Sequence, residues 1–424
     1  MQKQQINLLE YIIILFLILI SANPFVSYYK VLFLSFIFII LLIRIRNRLF
    51  LLFEIDWKNL LIIFFIFAYE IIHATIFDNF KLLNTFRITA TMYIAFLIIK
   101  IINIRFIKIY SNIIFYLAII SLLMYPLMYS NLRPALIQIA ENLFYMPPSE
   151  LGYNVPTLVL YTFDTSFFRV ANELYRNAGF AWEAGAFAIY VNIALVFNIF
   201  FYKQRKPILN KYNIVYVMSI ITTFSTTGYL VLFLIVLIYL WSSPRNKILK
   251  WVFLLIFIPA SITIYQKTGF LQEKIYNQYG EANESKNRFG SALLDINDVM
   301  KRPFFGWSRD QKVLFGSELT LDAHRPNGLT NLLRSYGFIY FLIFFSLMYA
   351  SFYKLGNLTF FNKPSLFSVL FLSVVMISAF SQLVFDNMFF RSMIFWGDAM
   401  LIVSVFRVDS TNLNSFDFQY LKYP

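Results

Sequence analysis

Two arginines and two carboxylates stand together ahead of a long apolar run. They are Arg169, Glu173, Arg176 and Glu183, in Arg169-Val-Ala-Asn-Glu-Leu-Tyr-Arg176-Asn-Ala-Gly179-Phe-Ala-Trp-Glu183-Ala-Gly185. The planar guanidinium fork matches phosphate and pyrophosphate oxygens, and a neighbouring carboxylate can orient it or act as a general base. The same residues can also serve as an arginine–glutamate cap on the helix that follows. A second group lies further on: Asn287-Arg288-Phe-Gly290, Lys301-Arg302-Pro303-Phe-Phe-Gly306-Trp307 and Asp322-Ala-His324-Arg325-Pro326-Asn327-Gly328. His324 is the one side chain there whose ordinary pKa lies near neutrality. With Arg325 beside it and a helix start just beyond, it suits an anionic neighbour, though a loop histidine is also a common surface residue. Glu70 and His73 share one helix face at a spacing of three, as a proton relay or as a polar helix contact. Asp398 is open in the same way, either functional or paired with an arginine.

Other chemistries are excluded by what the chain lacks. It has no cysteine, so disulfides and thiolate chemistry are absent. Its two histidines, His73 and His324, lie far apart and cannot supply the paired Glu-x-x-His motifs of a di-iron bundle. No Walker loop, GxGxxG or acidic metal motif occurs, so no metal, nucleotide or other cofactor is expected.

The elements that must position these residues follow from composition. Of 424 residues, 59% are hydrophobic and only 14% charged, and the mean hydropathy is +0.66. A soluble chain carries about a quarter of its residues as charged ones and cannot hide that much apolar side chain. This reads as an all-α polytopic membrane protein. Apolar runs long enough for a bilayer fall near 8–23, 27–43, 59–77, 87–103, 109–128, 186–202, 212–225, 228–242, 249–265, 335–353, 365–384 and 392–407. That makes about twelve transmembrane helices in a single membrane domain, 1–424. The 212–242 pair, parted only by Ser225, Thr226, Thr227 and Gly228, admits one long tilted helix as an alternative.

The net charge of +14 would suggest nucleic acid in a soluble protein, but topology explains it. With both termini cytoplasmic, the short connections on that side hold nineteen basic residues against Glu10, Glu54, Asp56, Asp409 and Asp417. That is the whole excess, so no nucleic-acid partner is implied. The other side receives two long connections, 129–185 and 266–334. Each contains an apolar stretch at helical spacing: Leu136, Ile137, Ile139, Ala140, Leu143 and Phe144 after Pro134, then Phe289, Leu293, Ile296 and Val299 or Met300 before Pro303. They read as structured lids.

The ordered set of motifs resembles the O-antigen polymerase and ligase superfamily. The set is Arg176-x-x-Gly179-x-x-x-Glu183-x-Gly185 entering a span, and a Ser-Thr-Thr-Gly turn at 225–228. Arg288 then opens a helix that ends at Arg302-Pro303-Phe-Phe-Gly306, and His324-x-x-Asn327 leads into Leu332-Leu333-Arg334-Ser-Tyr-Gly337. The resemblance covers about 160–350. It implies a bacterial inner-membrane glycosyltransferase whose site faces the periplasm, using undecaprenyl-pyrophosphate-linked glycans without metal or nucleotide. Carried onto this chain, Arg176 and Arg288 would hold the pyrophosphate, with Arg302 or Arg325 assisting and Arg169 and Asn327 in support. His324 would orient or deprotonate the acceptor hydroxyl, with Glu183 as the rival base. The implied partners are donor and acceptor glycans on the lipid carrier, the bilayer and a chain-length regulator. The chain departs from its relatives in having Thr226 where many carry a basic residue, and His324-Arg-Pro-Asn327 in place of His-Asn. Ligases lean on that histidine, which favours a polymerase of O-antigen or capsule. A ligase acting on lipid A-core and a transporter or flippase for the same lipid-linked glycan are the competing readings.

Overall fold

A computed structural model describes residues 8–45, 57–77, 82–146, 155–163, 175–202, 209–242, 251, 255, 288–310, 313, 325–360 and 363–398. Among them the chain is helical, with turns and one isolated antiparallel bridge between Thr157 and Thr162. In order run α1 (Leu8–Ala22), α2 (Pro24–Tyr28), α3 (Lys30–Ile45), α4 (Trp57–Ile76), α5 (Leu82–Ile102), α6 (Arg105–Met124) and α7 (Arg133–Leu143). Then come α8 (Ala184–Phe201), α9 (Lys211–Thr222), α10 (Thr226–Ser242), α11 (Arg288–Lys301), α12 (Gly328–Gly356), α13 (Pro364–Ser381) and α14 (Met388–Ser392).

Five of these are long and apolar enough to cross a bilayer: α4, α6 with its 3-10 extension to Tyr129, α8, α12 and α13. Shorter apolar helices are Leu8–Ala22, Lys30–Ile43 and Thr226–Ser242. At 1.5 Å per residue, eighteen residues cover about 27 Å, close to the roughly 30 Å hydrocarbon core. The fold is therefore an all-helical membrane bundle. Helices occupy the expected apolar runs wherever these are described. The run at 249–265, apart from Trp251 and Leu255, and the end of that at 392–407 lie outside the described residues.

The centre of the bundle is α8, every residue of which is buried. It reads AGAFAIYVNIALVFNIFF, apolar on all sides, as a helix enclosed by others must be. Its neighbours are α6, α9, α10 and α13. Two asparagines tie it to them: Asn192 donates to the Gly228 carbonyl at 3.2 Å, and Asn198 to Asn213 at 2.7 Å. In apolar surroundings such groups hold helices together because no water competes for them.

The 212–242 region is two helices, not one. α9 ends at Thr222, Phe224 takes a positive φ of 47°, and α10 begins at Thr226. The break falls at 223–225, so Thr226 and Gly228, expected in the turn, already belong to α10. With twelve residues, α9 is about 18 Å long, shorter than the span expected of it.

A sharp break also interrupts α12. Gly337 sits at φ 75° and ψ 179°, which frees carbonyls upstream of it. Residues 303–308 run along this break. Trp307 N–H donates to Arg334 O at 2.9 Å, Ser308 N–H to Ser335 O at 3.1 Å, and Phe338 N–H to Pro303 O at 2.8 Å. Gly306, at φ 67°, faces Gly337 so closely that a Cβ on either would collide with the other segment's backbone oxygens. His73 completes the junction. Its Nε2 lies 2.8 Å from Ser335 O and 3.0 Å from Phe305 O, a geometry in which the ring N–H serves both carbonyls. Glu70 accepts from the Tyr336 hydroxyl at 2.8 Å. Of the two readings of the Glu70–His73 pair, these bonds make it a polar contact between α4 and the α12 break. Asp398 pairs with Lys354 rather than with an arginine.

Both loop helices form where the apolar spacing places them, α7 with Pro134 in its first turn and α11 ending before Pro303. α11, however, turns its apolar face outward. Phe289, Leu293, Ile296 and Met300 are exposed, whereas Ser291, Ala292, Asp295 and Asp298 are buried. A soluble domain would reverse this. A helix lying at a bilayer boundary has reason to keep it.

Candidate functional site

The segment entering α8 is anchored at one end of the bundle. Asn23, buried at the end of α1, donates to Val159 O at 2.8 Å, Phe180 O at 3.0 Å and Thr157 Oγ1 at 3.1 Å. Trp182 N–H donates to Ala22 O at 2.9 Å. Asn177 bridges α6 and α9, donating to Thr222 Oγ1 at 2.9 Å and Ser121 Oγ at 3.2 Å. Arg176 is buried, and its Nε donates to Thr223 O at 3.1 Å. That carbonyl belongs to the C-terminal end of α9, where backbone acceptors lack helical partners and a cation is favoured.

Seven residues on, Glu183 is the residue that opens α8. Its Oε1 receives Arg288 Nη2 at 3.5 Å and the side-chain amide of Gln382. Gln382 Oε1 in turn accepts from Trp182 Nε1 at 3.1 Å, so one amide aligns both neighbours. Gly185 leaves room for this: a Cβ there would lie 2.8 Å from Gln382 Nε2 and 3.1 Å from Glu183 Oε1. Burial draws the Arg288 guanidinium below its ordinary range; Glu183 opposes that pull and Arg176 adds to it. Arg176 and Arg288 therefore act on each other through space, across more than a hundred residues of chain. Arg288 is set by Asn327, whose Oδ1 accepts from Leu329 and Thr330 N–H at 3.1 and 3.0 Å as the cap of α12. The Asn327 amide reaches back to Arg288 O at 3.4 Å.

Glu183, Arg288 and Asn327 thus meet, with Arg176 within electrostatic range of Arg288, but two other expected members of the site do not join them. Arg302 lies past the far end of α11, a helix of fourteen residues and about 21 Å. Its guanidinium stacks over Trp307 at 4.4 Å and faces Phe77 at 5.6 Å, so it does not share an anion with Arg288. Arg325 is consumed by an internal ion network. Its Nη1 donates to Asp295 at 2.9 Å and Asp298 at 2.7 Å, and Thr330 and Arg334 also meet Asp295. Burial pushes the Asp295 carboxyl up, and Arg334 and Arg325 oppose that shift. This network clamps α11 to α12, and it is a clamp rather than an open anion site. His324 and Arg169 lie outside the described residues.

No protein-family model matches the chain, and no curated protein is significantly similar to it. The site has to be read from its own geometry. Gln382 is the member no sequence motif marks; it stands 199 residues from the carboxylate it aligns. The α13–α14 turn that carries it also carries Asp386, which meets Arg309 at 3.2 Å and Arg391 at 2.9 Å. These residues carry no motif either. Their only sequence signal is that charged side chains lie beside apolar runs.

Proposed function

We propose that the chain polymerises undecaprenyl-pyrophosphate-linked oligosaccharide repeat units into a surface polysaccharide, O-antigen or capsule. In this reading it crosses the bacterial inner membrane twelve times, with both termini cytoplasmic and the site facing the periplasm. The observation that carries the reading is the Arg288–Glu183 pair at the mouth of the buried α8, with the buried Arg176, held on Thr223 O, within electrostatic range of Arg288. Two guanidiniums held by backbone and carboxylate partners are preorganised to bind a pyrophosphate. They stabilise the charge that develops on it as it leaves, which is the larger part of such catalysis.

The reaction transfers the growing glycan. An acceptor hydroxyl oxygen attacks C1 of the donor's first sugar, and the bond from C1 to the pyrophosphate oxygen breaks. The electron pair leaves with undecaprenyl pyrophosphate, and the hydroxyl proton passes to a general base. In this reading Glu183 takes that role and His324 is its rival; the contacts of the Glu183 carboxylate with Gln382 and Arg288 support its place at the site.

Loss of the gene is expected to leave a single repeat unit on lipid A-core and no ladder. A persisting long ladder overturns the reading. Polymer accumulating on the lipid carrier identifies a ligase, and repeat units stranded on the cytoplasmic side identify a flippase. The direct test incubates purified protein with a lipid-linked repeat unit and inspects the products for chain extension.

A further inference from the structure

A polymerase of this kind must hold two lipid-linked glycans at once, and the Arg176–Arg288 site accounts for one head group. A second cationic cluster lies at the same end of the bundle and is not used by the site described above. Arg309, just after α11, and Arg391, on α14, both contact Asp386, at 3.2 and 2.9 Å. Arg391 is fixed further by its Nε donating to Phe385 O at 2.8 Å. Lys30, the first residue of α3, lies within electrostatic range of Arg309, Arg391, Asp386 and Arg87. Arg87 comes from α5, which packs against α14.

Three cations from three parts of the chain, Arg309, Arg391 and Lys30, therefore gather around one carboxylate, and Arg87 stands within electrostatic range of Lys30. Neither Lys30 nor Arg87 closes an ion pair or side-chain hydrogen bond among the described residues. The other acid within reach of Arg309 is Glu70, which already accepts from Tyr336. Asp386 is half exposed, so the cluster opens outward. Like charges gathered around a single acid repel one another, and a multivalent anion relieves this.

The surroundings say what kind of anion. Beside Lys30 stand Tyr29, Val31 and Leu32, and beside Arg87 stands Phe86, all exposed. In a membrane-spanning bundle such exposed apolar side chains have acyl chains to meet, which would set the head group over an apolar track. The two clusters also share one element. Gln382 belongs to the first and Asp386 to the second, four residues apart and at most about 14 Å between Cα atoms.

We propose that Lys30, Arg87, Arg309 and Arg391 form a second pyrophosphate site, which holds the head group of the other lipid-linked glycan beside the first. The proposal rests on the polymerase reading for the identity of the ligand, while the site itself stands on its own geometry. The α13–α14 turn then separates the two head groups and sets their spacing. A phospholipid phosphate shares the chemistry of a carrier pyrophosphate, and the experiment separates the two.

The test measures binding of radiolabelled undecaprenyl pyrophosphate to the full chain in phosphatidylcholine nanodiscs. Two equivalents per chain are expected. The double variant Lys30→Gln/Arg87→Gln removes side chains that close no ion pair among the described residues and should keep its fold, verified by its thermal transition. It is expected to retain one equivalent and to weaken the other at least tenfold. Arg288→Gln is expected to lose the complementary equivalent. One equivalent in the native chain, or two undiminished in the double variant, overturns the second site. If instead the double variant loses one equivalent while Arg288→Gln keeps both, the second site stands and the first assignment fails. A repeat in nanodiscs containing phosphatidylglycerol completes the test: displacement of the weaker equivalent at equal lipid concentration assigns the cluster to phospholipid and overturns the proposal.

Discussion

Replacing Arg325 by methionine separates a structural arginine from a binding one. Methionine keeps the length of the side chain and removes its charge. The Arg325 side chain is 9% exposed and those of its partners Asp295 and Asp298 are 0% and 11% exposed. Two short charge-assisted bonds are lost, each contributing about 1.5–3 kcal/mol. Breaking a buried pair and stranding its carboxylates costs about 3–5 kcal/mol by comparison. Arg334 remains 3.5 Å from Asp295 and Lys301 remains 3.5 Å from Asp298, which moves the expected loss to the low end, about 3 kcal/mol. At roughly 2 °C per kcal/mol for a large chain, the thermal transition should fall by about 6 °C. The assay is a tryptophan-fluorescence melt of purified protein in detergent, run alongside chain extension well below the transition. Folded Arg325→Met protein is expected to extend chains at close to the native rate. An unchanged melt with extension abolished would refute the reasoning, because the guanidinium would then be engaged with substrate and not with α11.

The complementary change, Arg288→Gln, breaks a 3.5 Å pair whose side chains are 25% and 34% exposed. It should cost under about 1 kcal/mol and abolish chain extension at normal membrane levels; full activity in both Arg288→Gln and Arg176→Gln refutes the pyrophosphate assignment. Glu183→Gln keeps the shape but not the basicity, and chain extension is expected to fall about 10²- to 10⁴-fold if Glu183 is the base; an unchanged rate passes that role to His324. His73→Phe leaves the Ser335 and Phe305 carbonyls without their donor, at about 1–3 kcal/mol, with the rate per folded molecule and its pH profile unaltered. A shifted pH profile in that variant would restore the proton-relay reading. Gly337→Ala drives a methyl group into the Phe304 carbonyl at a positive φ, and the expected outcome is loss of monodisperse protein in size-exclusion chromatography.

Helical class, the places of the helices and the two loop helices were legible in the linear chain. Each depends on local quantities: the length of an apolar run, the 3.6-residue period, and a proline at a helix start. The membrane reading rests on the same footing, since hydropathy sums over neighbours in sequence. The arginines behave differently. Arg176, Arg288, Arg302 and Arg325 look alike as residue types. Their separate fates follow from what other segments bring to them: Thr223 for Arg176, Glu183 for Arg288, Trp307 for Arg302, and Asp295 with Asp298 for Arg325. The outward apolar face of α11 shows the same limit. Periodicity reveals that such a face exists but not which side meets the bundle, and that choice was made by the buried Asp295–Arg325 clamp.

By itself the sequence determined an all-helical, bilayer-length architecture, because burying apolar side chains and satisfying the backbone inside one segment needs no distant partner. Only the tertiary structure decided which charges are already neutralised and which gather at one end of the bundle. Electrostatic energy depends on distance in space, and the pairs that matter lie far apart in the chain: Gln382 with Glu183, Arg309 with Asp386, and Lys30 with Arg391.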